Sequence, residues 1–277
     1  MENLTLALQS AFDEATKIYR DRGFQRRIGF GKKPALINVD LANAWTRPGN
    51  PFTCDNIDDE IIPAVQRLLA RCRKYGFPVV FTTTCYQVTD RTNPNTDMGL
   101  WHEKIPIEVC AESDWELCGI DSRIAPAPGE QVVIKKRASA FHGTYLAGFL
   151  RAANVDTILV TGVTASACVR ATICDGLAEG FRPIAVKEAI GDRIPGAVLW
   201  NLFDIDAKFG DVETVERCIQ YIDEVGKASL AICSPIHVRF ARKATYVSRC
   251  REMTRRARNG HSIGSLGSGC AGHEISR

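Results

Sequence analysis

Nowhere in the 277 residues do eighteen apolar side chains run together, so the chain lacks a candidate membrane-spanning helix. It also lacks an excess of one charge: 35 Lys and Arg stand against 32 Asp and Glu, too even a balance for a nucleic-acid binder or a strongly steering surface. No Gly-rich phosphate loop of the G-x-G-x-x-G or Walker type occurs, which removes the usual ligands of a flavodoxin-like binding module. Cysteine pairs at zinc-finger spacing are missing, although Cys110 and Cys118 superficially invite the idea. There is no internal repeat. The opening residues, MENLTLALQSAFDEATKIYRDRGF, carry acids where a signal peptide needs a basic start and an unbroken apolar stretch. Cysteine is plentiful, but the eleven are odd in number and scattered, with Cys174 and Cys218 set inside apolar runs. That usage suits a reducing compartment better than a disulfide framework. The expectation is a cytoplasmic protein with neither a membrane nor a nucleic acid as partner.

What the sequence does contain is an alternation of two periods. PALINVDL, FPVVFTTT, QVVIKK, DTILVTGV and RPIAVKEAI are short, nearly continuous apolar runs, the pattern of strands buried on both faces. Between them lie amphipathic stretches: residues 58–75, with Ile61, Ile62, Val65, Leu68, Leu69 and Cys72 on one face and Gly76 as the stop, then GTYLAGFLRAA and ACVRATICDGLAEG. This order predicts a parallel sheet with helices on both faces. A long segment over 85–130, rich in Asp, Asn, Pro and Trp, interrupts it, as insertions that build active-site walls or oligomer contacts commonly do. Ahead of the first strand, residues 5–19 space Leu6, Leu8, Phe12, Ala15 and Ile18 as a helix. The domain reading is therefore a helical extension over 1–28, a catalytic domain over 29–226 and a basic tail over 227–277. After Val225 ten basic residues face two acids and apolar periodicity is lost, which predicts a poorly ordered tail.

In an open parallel sheet, ligands bind outside the carboxyl ends of the strands. Asp40 closes the first strand, Lys135 ends the third, and Cys168 follows the fourth and opens a helix. A helix start and a nearby ammonium both favour thiolate, and a carboxylate can relay the proton. Each residue also has a plainer explanation. A cysteine here can be a small packing residue, a lysine can reach out to solvent, and an aspartate can cap a turn. Of the adjacent Lys135 and Lys136, only one can face the pocket.

The run KKRASAFHGTYLAGFLRAANVDTILVTGVTASACVRATICDGLAEGF resembles the signature of the isochorismatase-like cysteine hydrolases. There a lysine precedes an S-A-F segment, and the nucleophile follows a G-x-T-x-x-x-C turn. Lys135, Ser139-Ala140-Phe141 and Gly162 to Cys168 match those motifs, and Asp40 in LINVDLANAW matches the family acid. Further segments, DMGLWHEKIP, IDSRIAPAPGE and IGDRIPGAVLWNLFDIDAKFGDVE among them, resemble the branch that hydrolyses N-carbamoyl amino acids. The resemblance implies a three-layer α-β-α sandwich around a mostly parallel, Rossmann-like sheet of six strands, and homotetrameric assembly. It implies that Cys168 attacks a carbonyl carbon while Lys135 and Asp40 hold and deprotonate it. The N–H groups of Thr164 and Cys168 would form the oxyanion hole, with a cis peptide at Val163–Thr164. Arg193 in IGDRIP would bind the substrate carboxylate, against the alternative of a surface ion pair with Asp192. Asn43, Trp101 and Phe141 are weaker pocket candidates.

The nicotinamidase branch of the superfamily binds a divalent ion through D-x-H near the second strand. After FTTT this chain reads CYQVTDRTNPN, with no histidine, and His102 stands alone, so neither a catalytic metal nor another cofactor is expected. Isochorismate-cleaving relatives lack the nucleophilic cysteine, so Cys168 favours C–N bond cleavage. Within that chemistry maleamate, biuret, ureidoacrylate and a streptothricin lactam are alternatives to an N-carbamoyl amino acid. A binding module with an accidental triad is the non-enzymatic alternative.

Overall fold

The computed structural model describes residues 2–87 and 96–233. Its centre is a sheet of six strands, β1 (Pro34–Val39), β2 (Val79–Thr84), β3 (Gln131–Lys135), β4 (Thr157–Val163), β5 (Arg182–Gly191) and β6 (Asp211–Glu213). The order is β3-β2-β1-β4-β5-β6 and every neighbouring pair is parallel, so the sheet is parallel throughout rather than mostly so. β1, β2 and β4 are buried along their whole length, which is why they read as unbroken apolar runs.

Successive residues of a strand face opposite sides, and the two cores divide accordingly. Leu36, Phe81, Leu159 and Ile184 join the core under α2 (Ile62–Tyr75) and α6 (Val215–Cys233). Ala35, Ile37, Val39, Val80, Ile158 and Val160 join the opposite core under α3 (Leu146–Ala152), α4 (Arg170–Ala178) and α5 (Pro195–Lys208). α2 ends where Gly76 takes the left-handed conformation, at φ 68°, and its N–H bonds back to the carbonyl of Arg73. The extension forms α1 (Glu2–Asp21), which lays Phe12 against α5: the ring stacks on Phe203 with centroids 4.6 Å apart and meets Trp200 edge-on at 5.4 Å.

The segment after β2 forms short helical turns, at Trp101–Lys104 and Trp115–Cys118, tied to the carboxyl ends of the strands. Tyr86 N–H donates to the Cys110 carbonyl at 2.8 Å, and Asp121 N–H to the Leu41 carbonyl at 3.0 Å. At the other end of the chain the boundary expected after 226 falls inside α6, which continues to Cys233. Gly226 sits in that helix where a Cβ would come within 2.3 Å of the Tyr75 ring, so the glycine permits close helix packing and is no linker. Residues 234–277, most of the expected tail, lie outside the described residues.

Candidate active site

The strand order reverses between β1 and β4, and β1 leads to Asp40 while β4 leads to Cys168. These two ends come unusually close. Val39 lies opposite Gly162, which has φ 105°, and a Cβ there would stand 2.0 Å from the Val39 carbonyl oxygen. Only glycine fits, which accounts physically for the G of the G-x-T-x-x-x-C turn. The Val163–Thr164 peptide is cis. Residues Ala165–Val169 then make one wide turn that runs into α4, with the Thr164 carbonyl accepting from Ala167 N–H and Val169 N–H, each at 3.1 Å. Cys168 is carried on that turn.

Lys135 starts two strands away, on β3. Strands are about 4.8 Å apart, so its ammonium must cross roughly 10 Å to reach the end of β1, a span that demands a long side chain. It arrives 2.8 Å from Asp40 Oδ2 and 3.3 Å from Cys168 Sγ, and the lysine is 1% exposed. Its three hydrogen bonds run to Thr84 Oγ1 at 3.1 Å, to the Arg137 carbonyl at 3.1 Å and to Cys168 Sγ. An ammonium has three donors, so these use them all. Asp40 Oδ2 is ion-paired with that ammonium, while Oδ1 accepts from Thr82 Oγ1 at 2.8 Å. Asp40 holds φ 51°, a left-handed conformation that a short polar residue tolerates at the end of a strand.

The electrostatics follow from this burial. Burial pushes the Cys168 thiol up to about 12, while the Lys135 ammonium pulls it down and the Asp40 carboxylate adds to the rise. For Lys135, burial alone would lower the ammonium, but Asp40 and Cys168 override it and hold it above its ordinary value. Burial thus favours the thiol over the thiolate at Cys168, beside an ion pair of Asp40 Oδ2 with Lys135. Such a set can generate a thiolate at the moment of attack and stabilise it by the neighbouring cation. Among the described residues no three His, Cys, Asp or Glu side chains gather as a metal site would require.

The other expected residues separate. Lys136 turns away from the trio to the Cys85 carbonyl and Asp97 Oδ2, both at 2.5 Å. Arg193 lies at the end of β5 with its side chain 40% exposed, and its guanidinium is 3.9 Å from Asp192. Asn43 commits its amide to the Glu116 carbonyl at 2.8 Å, which holds the insertion against β1. Trp101 packs, half-buried, on the core beneath α2. Phe141, considered a pocket residue, is placed in the opposite core: it stacks on Phe181 with centroids 5.8 Å apart and its ring edge lies near Gly176 of α4. An S-A-F motif close after Lys135 invites a functional reading of its aromatic residue, but here the ring packs by α4, the helix into which the Cys168 turn runs. Sequence reasoning missed Thr82, Thr84 and the buried carboxylate of Asp192. The run of three threonines in FTTT was the available signal, since three adjacent hydroxyls in a fully buried strand each need a partner.

A fully parallel doubly wound sheet with buried Asp40 and Lys135 meeting a half-buried Cys168 at its switch point is the arrangement of a cysteine-type hydrolase. The chain belongs to the isochorismatase family: the family's model, an isochorismatase domain, matches residues 34–217. It is 53% identical to an N-carbamoylsarcosine amidase from Arthrobacter over 221 residues, 79% of this chain and 83% of that one. It is 38% identical to a maleamate amidohydrolase from Pseudomonas putida over 200 residues, 71% of this chain and 90% of the other. Among solved structures, a cysteine hydrolase from Pseudomonas syringae superposes with a TM-score of 0.65 at 24% identity, covering 73% of this chain and 98% of that one. That last likeness concerns the fold alone.

Proposed function

We propose that this chain hydrolyses N-carbamoylsarcosine to sarcosine, ammonia and carbon dioxide, with Cys168 as nucleophile. The observation that carries the chemistry is the single ammonium of Lys135 set against both Asp40 and Cys168. The substrate rests on the 53% identity to the Arthrobacter amidase.

In this reading Asp40 Oδ2 takes the Cys168 proton as Sγ adds to the ureido carbonyl, and Lys135 steadies the charge on sulfur and carboxylate. The backbone N–H groups of Thr164 and Cys168 hold the oxyanion. Collapse of the tetrahedral intermediate breaks the C–NH2 bond, and Asp40 returns the proton to the departing nitrogen, which leaves as ammonia. Water then attacks the thioester under the same base, the C–S bond breaks with the proton returned to sulfur, and the carbamic acid loses carbon dioxide to give sarcosine. Arg193 pairs with the substrate carboxylate; its exposed guanidinium, held only loosely by Asp192, leaves room for that anion. A homotetramer in the cytoplasm belongs to the same reading, and the exposed Val132 and Ile134 on the edge strand β3 offer an apolar face for assembly.

Maleamate is the second reading, favoured by the 38% identity to the Pseudomonas putida enzyme. Ammonia release measured against N-carbamoylsarcosine, N-carbamoyl-D-amino acids, maleamate, biuret and nicotinamide separates them. Turnover of maleamate or nicotinamide ahead of every N-carbamoyl compound would overturn the substrate assignment.

A further inference from the structure

Asp192 is a carboxylate with 4% exposure, and no step of the mechanism above uses it. β4 and β5 place it beside the catalytic turn: Val163 pairs with Gly191, so the next residues along, Thr164 and Asp192, lie side by side as both strands end. On its other side Gly191 lets Ile61 pack close, since a Cβ there would stand 2.3 Å from Ile61 Cδ1. The two oxygens of Asp192 then serve two different elements. Oδ2 accepts from the Ser166 backbone N–H at 3.0 Å and from the Ser166 hydroxyl at 2.7 Å. Oδ1 accepts from the Arg193 backbone N–H at 2.8 Å, with the Arg193 guanidinium 3.9 Å away.

Ser166 lies on the wide turn between Thr164 and Cys168, the two residues whose N–H groups face the proposed oxyanion. A first-turn amide that would otherwise lack a partner is therefore bonded to a fixed anion, which sets the orientation of the whole turn. The same anion fixes the backbone that carries Arg193. We propose that Asp192 is a positioning residue that locks the oxyanion turn and the carboxylate-binding arginine into one geometry, so that the distance between a substrate's carbonyl and its carboxylate is selected by a single buried side chain. The inference rests on the reading of Cys168 and Arg193 given above. Its chemical consequence is selectivity for substrates in which a carboxylate stands at one fixed distance from the scissile C–N bond, because displacing either element by about 1 Å forfeits the productive pose.

The test compares Asp192→Asn, Asp192→Ala and Ser166→Ala in the full chain. An amide has one acceptor oxygen where the carboxylate has two, so Asp192→Asn must turn its NH2 toward either Ser166 N–H or Arg193 N–H and loosen one of them. Asp192→Asn and Asp192→Ala should lower kcat on N-carbamoylsarcosine about tenfold to a hundredfold and raise KM at least fivefold. Ser166→Ala, at an exposed position that tolerates the change, should lower kcat about threefold to tenfold with KM within twofold of wild type. Backbone hydrogen exchange at Ser166 should accelerate at least tenfold in Asp192→Ala. A folded Asp192→Asn enzyme with kcat and KM both within twofold of wild type overturns the proposal, and so does unchanged Ser166 exchange in Asp192→Ala. If Asp192→Ala does not fold, the Asn and Ser166 variants decide by the same limits. Should wild type leave N-carbamoylsarcosine intact, the substrate reading fails alone. The kinetic arms then use whichever panel compound is hydrolysed, and the exchange arm needs no substrate.

Discussion

Thr82 clasps Asp40 from both sides of its own residue: the Thr82 hydroxyl donates to Asp40 Oδ1 at 2.8 Å, and the Asp40 N–H is shared between the Thr82 carbonyl and hydroxyl, both 3.2 Å away. Both residues are fully buried, and the clasp leaves Oδ2 facing the Lys135 ammonium. Thr82→Val keeps the shape and removes the hydroxyl. It should cost about 1–3 kcal/mol in urea denaturation and lower kcat about tenfold, whereas Thr82→Ser should lose little of either. A valine variant with wild-type stability and turnover would show that the clasp does not matter.

Cys168→Ala and Cys168→Ser should abolish ammonia release while leaving the circular dichroism spectrum unchanged. Iodoacetamide should reach Cys168 before Cys54, Cys72, Cys85, Cys110, Cys118 and Cys218, all of which are buried while Cys168 is partly exposed and beside an ammonium. Retention of a tenth of wild-type activity in Cys168→Ala would assign the nucleophile to another residue.

Burial also shapes stability at alkaline pH. The thiols of Cys54, Cys72 and Cys168 are each pushed up to about 12 by burial, from 9.0 in the free side chain. Above pH 9 the unfolded chain releases these protons and the folded chain keeps them, so the unfolded state binds fewer protons and stability falls as pH rises, across the window from 9 to 12. Each such thiol contributes at most about 1.4 kcal/mol per pH unit. Thermal melting between pH 8 and 10.5 should show the midpoint turn steeply down above pH 9. Cys72→Ala should lower stability at every pH yet flatten the alkaline limb, and an unflattened limb would place its origin elsewhere.

Arg193→Ala separates recognition from chemistry, because nothing in the proposed steps needs the carboxylate itself. With its side chain 40% exposed, the pair it makes with substrate is partly screened. The loss in kcat/KM on N-carbamoylsarcosine should be about tenfold to a thousandfold, with the methyl ester analogue largely spared. Equal loss on both substrates would mean that Arg193 supports the fold or the trio.

Chelation should leave activity intact. The Asp40 carboxylate of the trio is neutralised by Lys135 at 2.8 Å, and a dication beside that ammonium would be repelled. Dialysis against EDTA followed by assay checks this, and loss restored by zinc or manganese would contradict it.

The sequence was most legible where one residue type alone could serve. Gly162 at φ 105° and Lys135 spanning from β3 to β1 are such places, and both stood out as motif residues. It was least legible where a polar side chain meets a partner distant in the chain. Thr82 bonds Asp40 across 42 residues and Asp192 bonds Ser166 across 26, separations that leave no local period to read. Phe141, a weaker pocket candidate from the sequence, packs in the core beneath α4, a placement that no local pattern distinguishes from a pocket wall. The domain boundary expected at 226 falls where basic charge rises and apolar periodicity fades, whereas α6 runs on to Cys233 with Gly226 packed against Tyr75 within it.

The trio draws on residues 40, 135 and 168, each at the end of a different strand of one parallel sheet, and no two of them are neighbours in the chain. Every pairing that brings them together closes a long loop, so the contact order of the site is high and its loop-closure entropy must be met before any part of it forms. Recovered turnover after dilution from urea should then act as a clock for the last stage of folding, appearing together with the native near-ultraviolet signal and never ahead of it.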